Sequence, residues 1–426
     1  MQPSTGDHPR LLLIAPPNSY RTAAYIEAAR RCGVDVLVAS EGRYSLVAAV
    51  AGGLHVDLDA PDALDILLAA GRQRPFSGVI ATDDATVELG SRIAAELHLP
   101  HNPPRAARLS RRKDLARQVL AAAGVNIPGF RVVSLREPVM PQIAGLGLPC
   151  VVKPLSLSAS RGVIRANTLE ECRSACARVQ AILAGEDLHD PYCTSHILVE
   201  QFVPGPEVAV EGLLHGGRLD VLAVFDKPDP LQGPYFEETY YITPSRHAAP
   251  VLDAACACVR AACMALGLRE GPIHAEVRLG ETGSVIIEIA SRTIGGECAR
   301  LLDFGTGRDL ETLVMMHAIG RPLEIPPRPG GAGVLMIPIP AAGMLRRVEG
   351  ISAARAVPYI EDILISIREG YELVPLPEGS SYLGFIFAHA PTPEQAERAL
   401  RTAHDCLHFV VAPLMKLEEH TQFEAS

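Results

Sequence analysis

The first 81 residues alternate between short apolar segments and longer amphipathic segments, and this alternation constrains the fold more than any other feature of the chain. The predicted strands lie at 11–15, 34–39 and 78–81, and the predicted helices at 21–32 and 60–73. Strands that alternate with helices pack as a parallel α/β sheet. The first strand is followed by Pro16-Pro17-Asn18-Ser19 rather than a glycine-rich turn, so we expect no dinucleotide pocket there.

The third predicted strand is followed by Thr82-Asp83-Asp84. These polar residues either line a ligand crevice at the end of the strand or cap the next helix. We favour the cap, because aspartate and threonine are preferred at helix N-termini.

Beyond residue 103 the pattern changes, and strictly alternating strands indicate an antiparallel sheet. A helix is predicted to open at Ser110 to Asp114 and to end at Gly124, and strands are predicted at 148–154, 197–202 and 207–214. The proline-rich segment 325–331 marks a further boundary. The remainder, which ends in a predicted helix at 392–404, is predicted to be a small α+β unit.

Charge and hydropathy limit the class of partner. The formal net charge of −10 argues against nucleic-acid binding, which needs clustered Lys and Arg. The apolar stretch 11–15 is too short for a signal peptide, and no run approaches the roughly 18 apolar residues of a membrane span. The sequence therefore predicts a cytoplasmic protein without nucleic-acid or membrane partners.

The ten cysteines are scattered, with no C-x-x-C pair and no histidines at zinc spacing, which favours reduced thiols. Cys172 and Cys176 fall within one predicted helix and are expected to be small buried side chains. We set Cys298 apart because it follows the Gly295-Gly296 pair.

Lysine is rare in this chain. Of 39 basic residues only four are lysines, at positions 113, 153, 227 and 416. The retained lysines are candidates for sites that need a compact ammonium group, as nucleotide phosphates do, although chance retention would give the same count.

No glycine precedes a lysine in the Walker A pattern, so a nucleotide would have to bind in another way. Lys153-Pro154 is followed by the loop 155–162, in which Ser158 and Ser160 add hydroxyl donors for phosphate oxygens. The segment Glu200-Gln201-Phe202-Val203 is predicted to form a hinge whose backbone contacts adenine, with Glu207 accepting from ribose hydroxyls.

Glu276 and Glu288 lie in two successive predicted strands, which a turn at 280–284 would fold into a hairpin. Two carboxylates placed side by side repel each other unless a divalent cation lies between them. Oxygen ligands of this kind suit Mg²⁺.

Over residues 106–322 the chain resembles the ATP-grasp superfamily, in which Lys113, Lys153, Glu200, Glu276 and Glu288 follow the family's order. Asp226-Lys227-Pro228 and the segment 236–245 (FEETYYITPS) resemble bacterial L-amino-acid ligases of the bacilysin-synthetase type. The resemblance implies an α/β and α+β fold. Its parts are a parallel α/β pre-grasp domain at 1–105, an ATP-grasp domain at 106–325 with lobes 106–195 and 196–325, and a C-terminal α+β unit at 326–426.

The resemblance also implies roles for individual residues. The phosphates of ATP would contact Lys113 and Lys153, and the γ-phosphate region would contact Lys227. Mg²⁺, or Mn²⁺ in its place, would be bound by Glu276 and Glu288. The hinge 200–203 would hold the adenine.

In the substrate part of the site, Glu238 would neutralise an ammonium group and Arg292 would stabilise the acyl phosphate and the oxyanion. The remaining substrate-site residues implied by the resemblance are Tyr241, His274, Gly295 and Gly296. Tyr241 rests on motif position alone, and His274 is equally well explained as a packed core residue.

Two departures from the family pattern concern the site. Ala290 stands where many ATP-grasp enzymes have an asparagine ligand, and Gly296 stands where bacilysin-type ligases have a tryptophan that closes the pocket. We therefore expect a larger pocket and an acceptor bulkier than alanine or glycine.

The resemblance implies an ATP-dependent carboxylate–amine ligase that joins amino acids through an acyl phosphate, with dipeptide synthesis as the reaction and a homodimer as the assembly. Two alternatives stay open: a ligase of purine-biosynthesis or carboxylase type, and a nucleotide-binding protein without catalysis. Taken singly, Glu276 and Glu288 could be solvated carboxylates, Lys153 an edge-strand lysine, and Arg292 an ion-pair partner. Taken together, the order of these four residues along the chain favours a common active site.

Overall fold

The computed structural model describes residues 8–17, 19–41, 52–188, 190–281, 283–306, 308–325 and 329–414. Asn18 of the predicted first turn, residues 326–328 of the predicted linker and Lys416 lie outside the described residues.

The N-terminal region is a parallel four-stranded sheet in the order β3-β2-β1-β4, as predicted. Its elements are β1 (Arg10–Ile14), α1 (Arg21–Cys32), β2 (Asp35–Ser40), β3 (Gly52–His55), α2 (Ala63–Gln73), β4 (Gly78–Ala81) and α3 (Val87–Glu96). Strand β3 escaped prediction because its sequence, GGLH, has one large apolar residue and no alternation. Leu11 to Ile14 are fully buried, since helices cover both faces of the sheet.

A second, antiparallel sheet has the order β5-β8-β6-β7. The segment that leads into it and forms it contains α4 (Pro104–Arg111), α5 (Lys113–Ala122), β5 (Phe130–Ser134), α6 (Val139–Gln142), β6 (Cys150–Pro154), β7 (Ile164–Ala166), α7 (Leu169–Ala184), α8 (Pro191–Ser195) and β8 (His196–Gln201). The predicted helix from Ser110 is in fact two helices. Arg112 between them has an extended backbone, and its guanidinium donates to Asp114 and Asp190.

The largest sheet has eight antiparallel strands in the order β13-β12-β9-β10-β11-β14-β18-β16. A three-stranded sheet, β17-β15-β19, follows it. The elements of this half are β9 (Glu207–His215), β10 (Arg218–Lys227), β11 (Tyr240–Thr243), α9 (Ala249–Leu266), β12 (Gly271–Gly280), β13 (Gly283–Ala290), α10 (Arg300–Thr306), α11 (Leu310–Ala318), β14 (Gly331–Ile337), β15 (Gly343–Glu349), α12 (Ile351–Arg355), β16 (Ile360–Ile365), β17 (Glu372–Leu373), β18 (Gly384–Ala390), α13 (Pro393–Asp405) and β19 (His408–Ala412).

The large sheet continues across the predicted boundary at 325, because β14 pairs with β11 from Tyr240–Leu335 to Thr243–Ala332. The C-terminal unit therefore extends the sheet of the central region. The predicted domain limits at 105 and 325 stay predictions.

Helix α9 corrects the expectation that no segment reaches the length of a membrane span. Its 18 residues have a mean hydropathy of 1.6, and among the described residues it is the one helix that passes by length and composition. A single such helix is weak support for a membrane, and here Ala255, Val259 and Leu266 pack into the core beside β12 and β13.

All ten cysteines are free, in agreement with the predicted reduced thiols, and Cys172 and Cys176 are buried on α7. Cys298 is also buried, and burial raises its pKa well above the usual range. A thiol in this state is a poor nucleophile.

Candidate active site

A cavity of about 500 Å³ is bordered by residues from the N-terminal region, the β5-β8-β6-β7 sheet, the eight-stranded sheet and the C-terminal unit. It brings together every residue predicted for the site except Lys227. The predicted residues that line it are Lys113, Lys153, Ser158, Ser160, Glu200, Gln201, Phe202, Val203, Glu207, Glu238, Tyr241, His274, Glu276, Glu288, Arg292, Gly295 and Gly296.

The β12–β13 hairpin places Glu276 directly opposite Glu288, as the sequence predicts. A bulge on β13 follows this pair, and its extra residue, Ile287, also lines the cavity. Two carboxylates therefore enter the cavity from neighbouring strands. Their oxygens are the ligand type that Mg²⁺ prefers.

Lys227 lies beneath the cavity surface with only 3% of its side chain exposed. Its Nζ donates to Glu207 at 2.7 Å, to Glu238 at 2.6 Å and to Glu276 at 2.8 Å. Burial alone would lower the pKa of Lys227, but these three carboxylates raise it well above the usual range. The ammonium of Lys227 is thus already surrounded by three carboxylates. Its contact with a γ-phosphate stays a prediction.

Lys227 is shared, and of its three carboxylates Glu207 also pairs with Arg278 and Glu276 lies near His274, whereas Glu238 has no second cation among the described residues. Burial and the neighbouring Glu276 raise the pKa of Glu238 to about 7, although Lys227 acts in the opposite direction. The phenol of Tyr241 also donates to Glu238, at 2.8 Å, so this motif residue is part of the network. Glu238 is thus a carboxyl group that would gain from a cationic ligand.

The predicted phosphate-binding loop has an unusual backbone. Ala159 and Ser160 have φ values of 53° and 54°, and few residues other than glycine adopt this left-handed region. The Nζ of Lys113 donates to the carbonyl of Leu157 at 2.8 Å and pairs with Glu288 at 3.0 Å. Lys113 therefore connects the loop with one of the two hairpin carboxylates.

Glu200 is almost fully buried and pairs with Arg117 and, at 2.7 Å, with Lys153. Burial acts to raise its pKa, but the two cations hold it at about 2. The amides of Gln201 and Phe202 donate to the carbonyls of Gly129 and Pro149, which fixes the predicted hinge. Any adenine contact would have to use other backbone groups of this segment.

Glu207, which was predicted to contact ribose, already uses both oxygens. One accepts from Lys227 at 2.7 Å and the other from Arg278 at 2.7 Å. Its role with ribose stays a prediction, while its hydrogen bonds make it a support for Lys227.

Asp83 and Asp84 line the cavity and do not cap helix α3, so our preference for the cap is wrong. Asp83 accepts from Arg21 at 2.7 Å, and Asp84 accepts from Arg292 at 3.0 Å. These ion pairs hold both carboxylates at the cavity, and the N-cap residue of α3 is Thr86, whose side chain makes no capping hydrogen bond. Burial opposes ionisation of Asp84, yet Arg292 keeps its pKa below the usual value.

His274 is buried and also lines the cavity, and its role in the site stays a prediction. Its Nδ1 lies 3.2 Å from the fully buried Glu211, whose other oxygen accepts from the amide of Ile294 at 3.1 Å. Burial disfavours protonation of His274, but Glu211 and Glu276 raise its pKa to about 9.

Gly296 has φ +63°, and a Cβ at this position would lie 2.2 Å from Sδ of Met336. Met336 thus occupies the space beside the glycine that replaces the family's tryptophan. The predicted larger pocket and bulkier acceptor stay predictions, and any extra room must lie beyond Met336. The amide of Gly296 donates to the hydroxyl of Tyr20 at 3.0 Å.

Sequence reasoning missed several cavity residues, which include Tyr20, Arg278, Met336, Ser380, Ser381 and Tyr382. Met336 lies on β14, whereas Ser380, Ser381 and Tyr382 come from a C-terminal loop that reaches the phosphate-binding loop. There the amide of Gly162 donates to the carbonyl of Pro377 at 2.9 Å. No local pattern signals such a contact. For Asp84 a signal was available in the sequence. Asp84 follows the end of a parallel strand, where ligand crevices form, and this position could have favoured the crevice over the cap.

Three family profiles match separate parts of the chain. The ATP-grasp domain matches residues 146–300, the ATP-grasp N-terminal domain matches 26–101, and the L-amino acid ligase C-terminal domain 2 matches 335–412. These matches follow the same order as the regions predicted from the sequence.

Among solved structures, an L-amino acid ligase from Bacillus licheniformis superposes with a TM-score of 0.79 and 26% identity, covering 95% of this chain and 99% of that one. The uncharacterized protein y4rH of Sinorhizobium fredii is 27% identical over 94% of this chain and 83% of its own length. Dapdiamide A synthase of Enterobacter agglomerans is 26% identical over 55% of this chain and 54% of its own length.

The fold, the predicted residues gathered in one cavity and these matches lead to one conclusion. The chain has the ATP-grasp fold and contains an ATP-grasp domain with its N-terminal domain, and over nearly its whole length it is similar to an L-amino acid ligase.

Proposed function

We propose that this protein uses ATP to join the carboxylate of one amino acid to the amine of another, with release of ADP and phosphate. The observation that carries the proposal is the combination of charges in one cavity: the ammonium groups of Lys113 and Lys153, the opposed carboxylates Glu276 and Glu288, and the buried guanidinium of Arg292. Similarity to an L-amino acid ligase over nearly the whole chain supports amino acids as substrates.

The donor set fits Mg²⁺, because Glu276 and Glu288 offer hard oxygen ligands from directly opposed positions. Mn²⁺ suits the same ligands. When bound, the ion would offset negative charge on the phosphates of ATP. Ala290 is buried opposite His274 and offers no side-chain ligand, so the two glutamates would be the protein's side-chain ligands from this hairpin.

The cations of the chain would bind and orient the nucleotide. Lys153 and Lys113 act as point charges for phosphate oxygens, and Ser158 and Ser160 add hydroxyl donors. A carboxylate oxygen of the first amino acid attacks the γ-phosphorus, the bond to the bridging oxygen breaks, and ADP leaves as an acyl phosphate forms.

Two charged groups would serve the second step. Glu238, whose charge is incompletely compensated, attracts the ammonium of a substrate. Arg292, held by Asp84, stabilises the oxyanion that forms when the amine attacks the acyl carbon. The ammonium first loses a proton to solvent and attacks as a neutral amine. The bond between the acyl carbon and the phosphate oxygen then breaks, phosphate leaves, the amide forms, and the second nitrogen proton passes to solvent.

The test is phosphate release from ATP and Mg²⁺ with amino acids supplied singly and in pairs, with products identified by mass. Release that needs a pair and gives a condensed mass supports the proposal. Release that needs bicarbonate or a phosphorylated amine would favour the purine or carboxylase type instead, and ATP binding without release would favour a protein without catalysis.

A matched pair of variants separates the site from the hairpin that carries it. Glu288→Gln should lower phosphate release by at least ~100-fold, because it removes a predicted metal ligand. Glu281→Gln makes the same change at an exposed position of the same hairpin and should leave the rate unchanged. Homodimerisation and a cytoplasmic location stay predictions from the sequence.

A further inference from the structure

Away from the active site, His215, Glu270 and His317 converge from three different elements. His215 ends β9, Glu270 precedes β12, and His317 lies near the end of α11. One ligand atom of each, two ring nitrogens and a carboxylate oxygen, lies within 4.8 Å of the other two. Sequence spacing gave no hint of this group, because the three residues are far apart along the chain.

The distances suit a single ion. The Oε2 atom of Glu270 lies 3.7 Å from Nδ1 of His215 and 3.7 Å from Nε2 of His317. These separations are too long for hydrogen bonds. They are close to the separation of about 3.3 Å between ligand atoms around a tetrahedral Zn²⁺ with bonds of about 2.0–2.1 Å.

A second observation concerns Glu270 itself. Its Oε2 atom is buried and has no hydrogen-bond partner within the described part of the chain, which is uncommon for a carboxylate oxygen. The other oxygen accepts from the amide of Gly216 at 2.8 Å. Asn102 holds the backbone of Glu270, donating to its carbonyl at 2.8 Å and accepting from its amide at 2.9 Å. The free oxygen is therefore fixed in place towards the two histidines.

The histidines are suited to act as ligands. His317 is mostly buried, and burial lowers its pKa, which favours the neutral ring that a metal requires. His215 is largely exposed, and a cavity of about 80 Å³ beside Glu270 and His317 leaves room for a water ligand.

We propose that His215, Glu270 and His317 form a Zn²⁺ site, with solvent as the fourth ligand. Two imidazole nitrogens and one carboxylate oxygen match the ligand preference of zinc and not the all-oxygen preference of Mg²⁺ or Ca²⁺.

The site would connect parts of the molecule that move apart on unfolding. Helix α11 packs tightly beneath the N-terminal sheet, since a Cβ at Gly78 of β4 would lie 2.5 Å from the carbonyl oxygen of Ala318. Zinc would link this helix to the start of β12 and to the β9–β10 turn. Glu276 lies six residues further along, about 20 Å at the rise of an extended strand, so the site is distinct from the proposed active site.

The test uses the whole reduced protein, stripped of metal with a chelator and titrated with Zn²⁺ alone against a chromophoric competitor. The wild type should bind one equivalent that His215→Gln and Glu270→Gln bind at least ~10-fold more weakly. His215 is exposed and Gln at 270 can still accept from Gly216, so neither change threatens folding. His389→Gln is the matched control, because His389 also lies 3.7 Å from a glutamate, Glu361, but is outside the proposed set of ligands.

Thermal unfolding with and without Zn²⁺ supplies a second readout. Zn²⁺ should raise the midpoint of the wild type and of His389→Gln but not of His215→Gln, and Mg²⁺ should not substitute. Equal zinc affinity and equal shifts in the wild type and in both cluster variants would overturn the proposal. Because neither readout depends on ligase turnover, failure of the proposed function would leave this test intact.

Discussion

Two buried charged centres beside the cavity have opposite compositions. In the β5–β8 sheet, one carboxylate, Glu200, is shared by two cations, Arg117 and Lys153. In the large sheet, one cation, Lys227, is shared by three carboxylates. The first centre has a surplus positive charge. The second also includes Arg278 beside Glu207 and His274 between Glu211 and Glu276, so its three cations face four carboxyl groups and leave a surplus of one negative charge.

The pKa values reflect this difference. The two cations hold Glu200 at a pKa of about 2 despite its burial, whereas burial and Glu276 raise the pKa of Glu238 in the other centre to about 7. A surplus of cations suits the phosphates of a nucleotide, and a surplus of carboxylates suits a metal ion or a substrate ammonium. The comparison therefore explains how one cavity can bind both kinds of group.

The largest effect is expected from Lys227→Met. Removing the shared cation takes from Glu238 the ion-pair partner that it has among the described residues, while Glu207 keeps Arg278 and Glu276 keeps His274. Breaking a buried ion pair in this way costs about 3–5 kcal/mol of unfolding free energy. Urea unfolding measures the loss. Lys113→Met is the control, because Lys113 is more exposed and pairs with one carboxylate, Glu288. Equal losses in both variants would contradict a special role for the three-carboxylate centre.

Glu200→Gln should cost somewhat less, about 2–3 kcal/mol at pH 7, because the amide keeps some hydrogen bonds to Arg117 and Lys153. The loss should depend on pH. A carboxyl group whose pKa falls on folding, here from 4.5 to about 2, stabilises the fold above pH 4.5 and loses that contribution as the pH falls towards 2. The stability difference between wild type and variant should therefore shrink over this range in unfolding curves, and a constant difference would contradict it.

The sequence could predict both centres only in part. Lys153, Glu200, Lys227 and Glu276 stood out because lysine is rare and because local strand patterns placed the glutamates. Their partners did not. Arg117 is one of many arginines in the chain, and it lies on α5, which packs against α4 and α9, so no local pattern signals its contact with Glu200.

The same limit applies to the fold. The parallel sheet followed from strand and helix periodicity within short segments, since both are local properties. The pairing of β14 with β11 joins segments about 90 residues apart, and nothing in either segment specifies its partner. The contact of Asp84 with Arg292 and the position of Met336 against Gly296 also depend on such long-range packing.

Glu238→Gln tests the carboxylate-rich centre around Lys227. It removes one of three charges that share Lys227, so the free energy of unfolding should rise or stay within about 1 kcal/mol of the wild type. If Glu238 binds the substrate ammonium, the KM for one amino acid should rise at least ~10-fold while the KM for ATP is unchanged. Glu237→Gln, next in sequence, is the control for kinetics. An increase confined to the KM for ATP would contradict the assignment.

The smallest effect on stability is expected from a change at Glu378, where the C-terminal unit contacts α7 and the phosphate-binding loop. Glu378 receives a bidentate contact from Arg178 on α7, at 2.6 Å and 2.9 Å, and its carbonyl accepts from Arg161 in the phosphate-binding loop. This ion pair is exposed, so Glu378→Gln should cost no more than about 1 kcal/mol. It should nevertheless raise the KM for ATP several-fold, because it loosens a contact that holds the loop in place. Glu349→Gln breaks another exposed pair of the same unit, with Arg347, and should leave that KM unchanged. Equal KM values in the two variants would mean that the C-terminal loop covers the phosphate-binding loop without ordering it.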